Sequence, residues 1–257
     1  MASAIIGGLI EQGFDAQQLS ASAPVVAELT KLQSQYGIRV SESNLEPVAQ
    51  ADVVVLAVKP QIMQRVCEEI ASTLRDNTLV VSIAAGVTCE NLDQWLNGNR
   101  ALVRCMPNTP ASVGLGASGL FANKKVSAEQ KAQAENIIST IGIARWVATE
   151  NLIDAVTAVS GSSPAYFFLF LESMVDAATQ QGMDKTTATE LAIQSAIGAA
   201  TLAQQSEDDL VTLRKKVTSP KGTTEQAIKV FEEQNLRGTV AKAMTACIAR
   251  AKELAGS

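Results

Sequence analysis

Val53-Val54-Val55-Leu56-Ala57-Val58-Lys59-Pro60 is the stretch that decides the fold. Its β-branched run reads as a strand, and the proline that ends it cannot continue a central ladder. Outward from it the same unit recurs. Leu79 to Ile83 is a second run, ending in Ala84-Ala85-Gly86, and Ala101 to Cys105 is a third, ending in Met106-Pro107-Asn108-Thr109-Pro110. Weaker strands are expected over Leu19 to Ser22, Ser118 to Phe121 and Ala144 to Val147, and helical spacing covers Ala23 to Tyr36, Ile62 to Leu74 and Ala128 to Ile141. Alternating strands and helices up to residue 149 predict a Rossmann-like α/β domain built on a parallel sheet.

After Glu150 strand-like runs stop and helices follow one another. Pro164 to Gln181 opens with proline in its first turn and ends at Gly182. Asp184 to Gln204 is rich in small residues, which lets helices approach closely, although alanine also favours helix on its own account. Further helices fit Asp208 to Val217, Thr224 to Glu233 and Arg237 to Leu254. The chain is therefore read as two domains, a nucleotide-binding part over residues 1–149 and an all-helical part over residues 150–257.

Composition narrows the chemistry. The 257 residues are 47% hydrophobic and 18% charged, ordinary for a globular protein, and the net charge of -5 argues against a nucleic-acid partner. No run approaches the ~18 uninterrupted apolar residues of a membrane span. The richest stretch, Ala165 to Val175, is broken by Glu172 and reads as a buried helix. Four cysteines lie scattered without a C-x-x-C pair, which favours a reducing cytoplasm over disulfides or zinc. There is no histidine, so His-based triads, dyads and metal sites are excluded, and no metal is expected.

Met1 to Glu11 reads as a helix, with Gly13 just past its end. A dinucleotide fold is expected to open with a strand and a G-x-G-x-x-G turn ahead of that helix, and this sequence shows neither. The expectation is a chain short of about a dozen residues at its start, against the plainer account of a fold that begins with a helix. Loss of such a strand exposes the sheet at its middle and removes amides that cradle a pyrophosphate, making a weak cofactor binder.

Ligands of open α/β sheets sit beyond the carboxyl ends of the strands. The loops at Ala57, Val58, Lys59 and Pro60, at Ile83, Ala84 and Ala85, and around Asn108 and Thr109 would line one such crevice. Lys59 is either a phosphate contact or a solvated surface lysine. The second expected strand ends at Ser22, where NAD sites usually carry an acid for the ribose hydroxyls. Serine does not repel a 2′-phosphate, which favours NADPH over NADH. Ser219-Pro220-Lys221-Gly222-Thr223-Thr224-Glu225-Gln226 places glycine, two hydroxyls and free amides at a helix N-terminus, a ready anion site. Thr223 with Gln226 also predicts a capping box, which needs no ligand but leaves Thr224 unexplained. Ser160 to Tyr166 is a further unusual segment, either a helix break or part of a site, and its aromatic run is expected in the core.

Ala57 to Pro60, Val81 to Val87, Arg104 to Pro110, Ser160 to Tyr166 and Ser219 to Thr224, taken in order, resemble the pyrroline-5-carboxylate reductase family over essentially the whole chain. The resemblance implies reduction of 1-pyrroline-5-carboxylate to L-proline, the last step of proline biosynthesis, with NADPH or NADH. It implies NADPH contacts at Ser22, Asn44, Ala57 to Pro60 and Ile83 to Ala85, with Asn44 near the adenosine and Asn108 and Thr109 near the nicotinamide. It places the substrate carboxylate on Gly222, Thr223 and Thr224. It also implies domain-swapped dimers through the helical domain, assembled into decamers, with each active site completed by the partner. Met1 resembles the methionine that closes the family's opening Gly-x-Gly-Asn-Met. Lys221 stands where the family usually has glycine.

A cyclic imine asks for little acid-base work. Once its nitrogen is protonated the carbon is electrophilic, and positioning alone contributes about 7–11 kcal/mol. Thr224 is the candidate catalytic residue, bonding the imine nitrogen or the carboxylate. A β-hydroxyacid dehydrogenase has the same two-domain layout but needs a lysine on the first helix of its helical domain, and none occurs between Lys131 and Lys185. A truncated nucleotide-binding scaffold, weak or inactive in catalysis, remains the alternative from another class.

Overall fold

The computed structural model describes residues 1–255. Its chain order is α1 (Ala2–Glu11), β1 (Ser20–Ser22), α2 (Val26–Tyr36), β2 (Arg39–Ser41), α3 (Leu45–Gln50), β3 (Val53–Leu56), α4 (Pro60–Ile70), β4 (Leu79–Ser82), α5 (Cys89–Trp95), β5 (Ala101–Met106), β6 (Gly116–Ala122), α6 (Ala128–Ser139) and β7 (Gly142–Trp146). Helices follow: α7 (Leu152–Val156), a π turn (Thr157–Gly161), α8 (Ser163–Gln180), α9 (Lys185–Gln205), α10 (Leu210–Lys216), α11 (Thr223–Glu233) and α12 (Leu236–Ala255).

Five strands form one sheet in the order β3-β4-β5-β6-β7, while β1 and β2 pair in parallel as a separate two-stranded sheet. Val53 to Leu56 pair with Leu79 to Ser82, and these with Ala101 to Arg104, all in parallel. Every residue of β4 is buried, as a parallel strand covered on both faces requires. Strand β6 departs from the expected parallel pattern and runs antiparallel to β5. No crossover helix lies between them. A 3-10 turn over Thr109–Val113 closes at Gly114, φ 73°, and returns the chain directly.

Helix α4 shows how the layers are held. Pro60 occupies its first turn, where a missing N–H costs nothing, and Met63, Val66, Cys67 and Ile70 turn inward at helical spacing. On the other face Ile5 and Leu9 of α1 pack with Val81, Val103, Leu120 and Ile138. Gly8 makes that approach possible: a Cβ there would lie 2.6 Å from the Thr140 carbonyl oxygen. Gly119 does the same for α7, since its Cβ would lie 2.5 Å from Val156 Cγ2.

The chain divides into two compact units, Met1–Ser162 together with the stretch from Ala246 onward, and Ser163–Thr245. The compositional change at residue 149 precedes this division because α7 belongs physically to the first unit. Ile153 and Ala158 are buried there, and Glu150 forms an ion pair with Arg104 of β5 at 2.8 Å. Cys247 of α12 lies 3.3 Å from the Ser162 hydroxyl within the same unit.

In the second unit, α8 packs on α9 through a small core of Val175, Ala188 and Ala192. The expected burial of the aromatic run does not hold within one chain: Phe167, Phe168 and Leu169 are 66%, 67% and 64% exposed. Only Ala188 and Ala192 of the small-residue face of α9 are buried. The helical stretch Leu152–Gln180, of mean hydropathy 1.2, is also long and apolar enough by length and composition to cross a membrane. The sequence did not suggest this, because Glu172 and Asp176 interrupt the run while leaving its average high.

Arg104 is only 5% exposed, and Glu150 accepts both from its guanidinium and, at 2.7 Å, from the Cys89 amide at the start of α5. Glu150→Ala strands that buried cation, so a loss of about 3–5 kcal/mol is expected in denaturant unfolding. Burial also pushes the thiols of Cys67 and Cys105 up to about 12, and burial with the nearby Glu150 does the same for Cys89. A thiol whose pKa is raised stays protonated at neutral pH. A thiol-specific reagent at pH 8 should therefore label no more than one cysteine per native chain, Cys247, against four after unfolding.

Candidate active site

Because β3, β4 and β5 are parallel, their carboxyl ends emerge on one edge of the sheet. A cleft of about 260 Å³ opens there, lined by Ile83 and Ala85 after β4, by Met106, Pro107, Asn108 and Thr109 after β5, and by Met1 and Gly161. Of the residues singled out from the sequence, the structure thus brings Ile83, Ala85, Asn108 and Thr109 together. Ala84 lies between the first two, its amide 3.4 Å from the Ser82 hydroxyl.

The other candidates lie outside the lining of this cleft. Ala57 and Val58 follow β3, Lys59 caps α4, and Pro60 begins it. Lys59 is exposed and makes no ion pair among the described residues. Ser22 and Asn44 meet each other: the serine hydroxyl donates to Asn44 Oδ1 at 2.7 Å, while Asn44 Nδ2 donates to Glu69 Oε1 at 3.2 Å. The sequence linked these two only through the resemblance. The bond itself joins the end of β1 to the residue preceding α3.

Asn108 is buried with its side chain committed. Its Nδ2 donates to the Ser160 carbonyl at 3.0 Å, and its Oδ1 accepts from the Ala117 amide at 2.9 Å. Met106 and Gly161 are lining residues that sequence reasoning did not assign to the cofactor. The signal was present in both motifs, since a Cβ at Gly161 would lie 2.7 Å from Met106 Cε, but the pairing of loops distant in sequence is visible only in the fold.

In the second unit, Gly222, Thr223 and Thr224 open α11. The expected capping box of Thr223 and Gln226 does not form. Gly222 is the N-cap, Thr223 is already helical, and the Gln226 amide reaches the Gly222 carbonyl at 3.4 Å. Glu225 turns back instead and accepts from the Lys221 amide at 2.8 Å. Neither threonine hydroxyl is engaged among the described residues, so the first turn presents amides and hydroxyls without a side-chain cap. Such a turn favours an anion through its unsatisfied donors and the helix dipole. Among the described residues no cluster of His, Cys, Asp and Glu is arranged to hold a metal.

Residues 150–254 match the family described as "Pyrroline-5-carboxylate reductase dimerisation", and residues 1–86 match "NADP oxidoreductase coenzyme F420-dependent". The pyrroline-5-carboxylate reductase of Pseudomonas aeruginosa is 51% identical over 255 residues, covering 99% of this chain and 93% of the relative. The chain belongs to the pyrroline-5-carboxylate reductase family. Among solved structures, the pyrroline-5-carboxylate reductase of Coxiella burnetii superposes with a TM-score of 0.95 at 45% identity, covering 98% of this chain and 94% of that one. The Plasmodium falciparum pyrroline carboxylate reductase, solved with NADP bound, gives 0.86 at 28% identity with the same coverage. None of these likenesses favours a non-catalytic scaffold.

Lys221 has φ 61°, the left-handed conformation that glycine adopts freely. The lysine therefore keeps a glycine-like loop path and carries the steric cost of its own Cβ. Lys221→Gly should raise stability by up to about 1 kcal/mol in chemical denaturation, since relief of the left-handed strain exceeds the added freedom of the unfolded chain.

Proposed function

We propose that this protein reduces 1-pyrroline-5-carboxylate to L-proline with NADPH, used in preference to NADH. The observation that carries the reading is the 51% identity to the Pseudomonas aeruginosa reductase over 99% of the chain. The cleft of about 260 Å³ at the ends of β4 and β5, lined by Ile83, Ala85, Asn108, Thr109 and Gly161, supports it as a place for the nicotinamide. Ser22 closes β1 without an acid that would repel a 2′-phosphate, and the Plasmodium falciparum relative carries NADP.

When bound, NADPH supplies the hydride for the imine carbon. The residues expected to hold it are Ser22, Asn44, Ala57, Val58, Lys59 and Pro60 toward the adenosine and phosphates, with Ile83, Ala84, Ala85 and Thr109 toward the ring, and Asn108 near the ring with its side chain engaged by Ser160 and Ala117. The amides of Thr223 and Thr224, with Gly222 leaving their approach open, hold the substrate carboxylate by charge-assisted bonds. The Thr224 hydroxyl donates to the carboxylate or faces the imine nitrogen. No imidazole is needed, because the protonated imine is already electrophilic and the chain's task is alignment.

The two units divide this work, the first carrying the cofactor cleft as far as Gly161 and the second, helical one carrying the first turn of α11. The helical part also joins subunits. The exposed apolar residues of α8 and α9, including Phe167, Phe168, Leu191 and Ile197, support burial against a second copy in a domain-swapped dimer and then a decamer. The family description of residues 150–254 as a dimerisation region supports the same assignment. A second copy accounts for the apolar length of Leu152–Gln180 without a membrane, the scattered cysteines support a cytoplasmic enzyme, and the net charge of -5 speaks against a nucleic-acid partner.

Thr224→Ala should lower kcat/KM for the imine by removing a hydrogen bond to a charged group, about 1.5–3 kcal/mol or roughly ten- to hundredfold. The NADPH dissociation constant should change little, and Thr224→Ser should recover most of the loss. Wild-type kinetics in the alanine variant would reject the role given to this hydroxyl.

A further inference from the structure

The link between Asn108 and the π turn is not explained by cofactor contact alone. In an α-helix the carbonyl of Ser160 would accept from the amide of residue 164, but residue 164 is proline and has no N–H. The chain widens into a π turn just before this point, with the Ser162 amide bonding the Thr157 carbonyl at 2.8 Å. Asn108 reaches this carbonyl from outside the helix, its Nδ2 lying 3.0 Å from the Ser160 oxygen. The other end of the same side chain is fixed by the Ala117 amide of β6. At 8% exposure, Asn108 works in a setting where unmade hydrogen bonds are costly.

Two close contacts define what this bond controls. Val156, at the end of α7, presses on Gly119 of β6, where there is no room for a Cβ. Five residues later Gly161 faces Met106 with the same lack of space, and both Gly161 and Met106 line the cleft. The helix is thus seated on the sheet at Val156, and the Asn108 bond falls between that seat and the lining glycine.

We propose that Asn108 is a positioning residue: its amide latches the π turn to β6 and so sets where Gly161 and Met106 stand as the wall of the cleft. The catalytic half of this proposal rests on the reading of the cleft as the seat of the nicotinamide. The latch itself does not. Asn108 acts through Gly161 and Met106, so its loss should misalign the hydride transfer rather than abolish cofactor binding. Displacements of about an ångström at such a site can cost on the order of a hundredfold in rate.

Asn108→Asp tests the donor half, because an ionised carboxylate still accepts from Ala117 but offers nothing to the Ser160 carbonyl. In the purified full chain, kcat with pyrroline-5-carboxylate should fall about ten- to hundredfold, while imine KM and the fluorescence-measured NADPH dissociation constant stay close to wild type. Amide hydrogen exchange at Ser162 should accelerate in the same variant. Asn108→Ser, neutral and too short to span both partners, should repeat both effects and serves if the aspartate variant does not fold. Unchanged exchange at Ser162 overturns the latch, whatever the activity. Faster exchange with unchanged kcat, or a fall in NADPH affinity equal to the fall in kcat/KM, overturns the positioning role. A wild-type chain without turnover would remove the reading of the cleft, and exchange at Ser162 would then decide the latch alone.

Discussion

The parallel pairing of β3, β4 and β5 is the constraint on which the rest depends. Parallel neighbours require a crossover on each return, which is why α4 and α5 intervene. It also delivers three carboxyl ends to one edge, so that loops distant in sequence become neighbours without designed contacts between them. The cleft is a consequence of that edge. Buried β-branched runs fix the strands, and the polar and small residues that cannot extend a ladder are left at its mouth. One buried ion pair then extends the same frame beyond the sheet: Arg104 within β5 holds Glu150, and Glu150 holds the start of α5. Helix α7 leaves from this point, which gives the π turn a fixed origin.

The second unit is built on a different economy. Two of its helices are capped by side chains, with Asp184 bonding the Thr187 amide and Asp209 that of Thr212, yet few of its side chains are buried. Helix formation here is secured locally while the apolar faces remain unspent. Such a surface is stable as helix and incomplete as a core, the condition a self-associating segment must satisfy. Helix α11 adds a polar feature to this unit, since its first turn has no side-chain cap and its threonines are unengaged.

Much of this was legible because the informative residues report local physics. Val53 to Leu56 and Leu79 to Ser82 are strands in any context that buries both faces, and Pro60 marked the end of the first, though α4 begins at that proline and not at Ile62. Family likeness in five ordered motifs then supplied identity and the residue assignments that spacing could not. What escaped the sequence depended on tertiary setting. Strand β2, Arg39–Ser41, has three residues and pairs only with β1. Helices α3 and α5, of six and seven residues, are too short to show a period. The antiparallel return of β6 was hidden because alternation of strands does not encode direction. The Thr223 capping box failed because α11 starts one residue earlier than expected, with Gly222 as its N-cap and Thr223 already helical. The burial of α8 was misread because an apolar helix looks the same in sequence whether or not its own chain covers it. The Asn108–Ser160 bond joins residues separated by 52 positions, and no local pattern reports it.

The central claim is that an anionic imino acid sits on the first turn of α11 while a nicotinamide occupies the cleft beside Ile83 and Gly161. A crystal structure of the assembled protein with NADP and proline tests it most directly. The account predicts the proline carboxylate on the amides of Thr223 and Thr224 of one subunit, with the nicotinamide against Ile83, Ala85 and Gly161 of its neighbour. Proline bound away from that turn, or a nicotinamide outside that cleft, would contradict it.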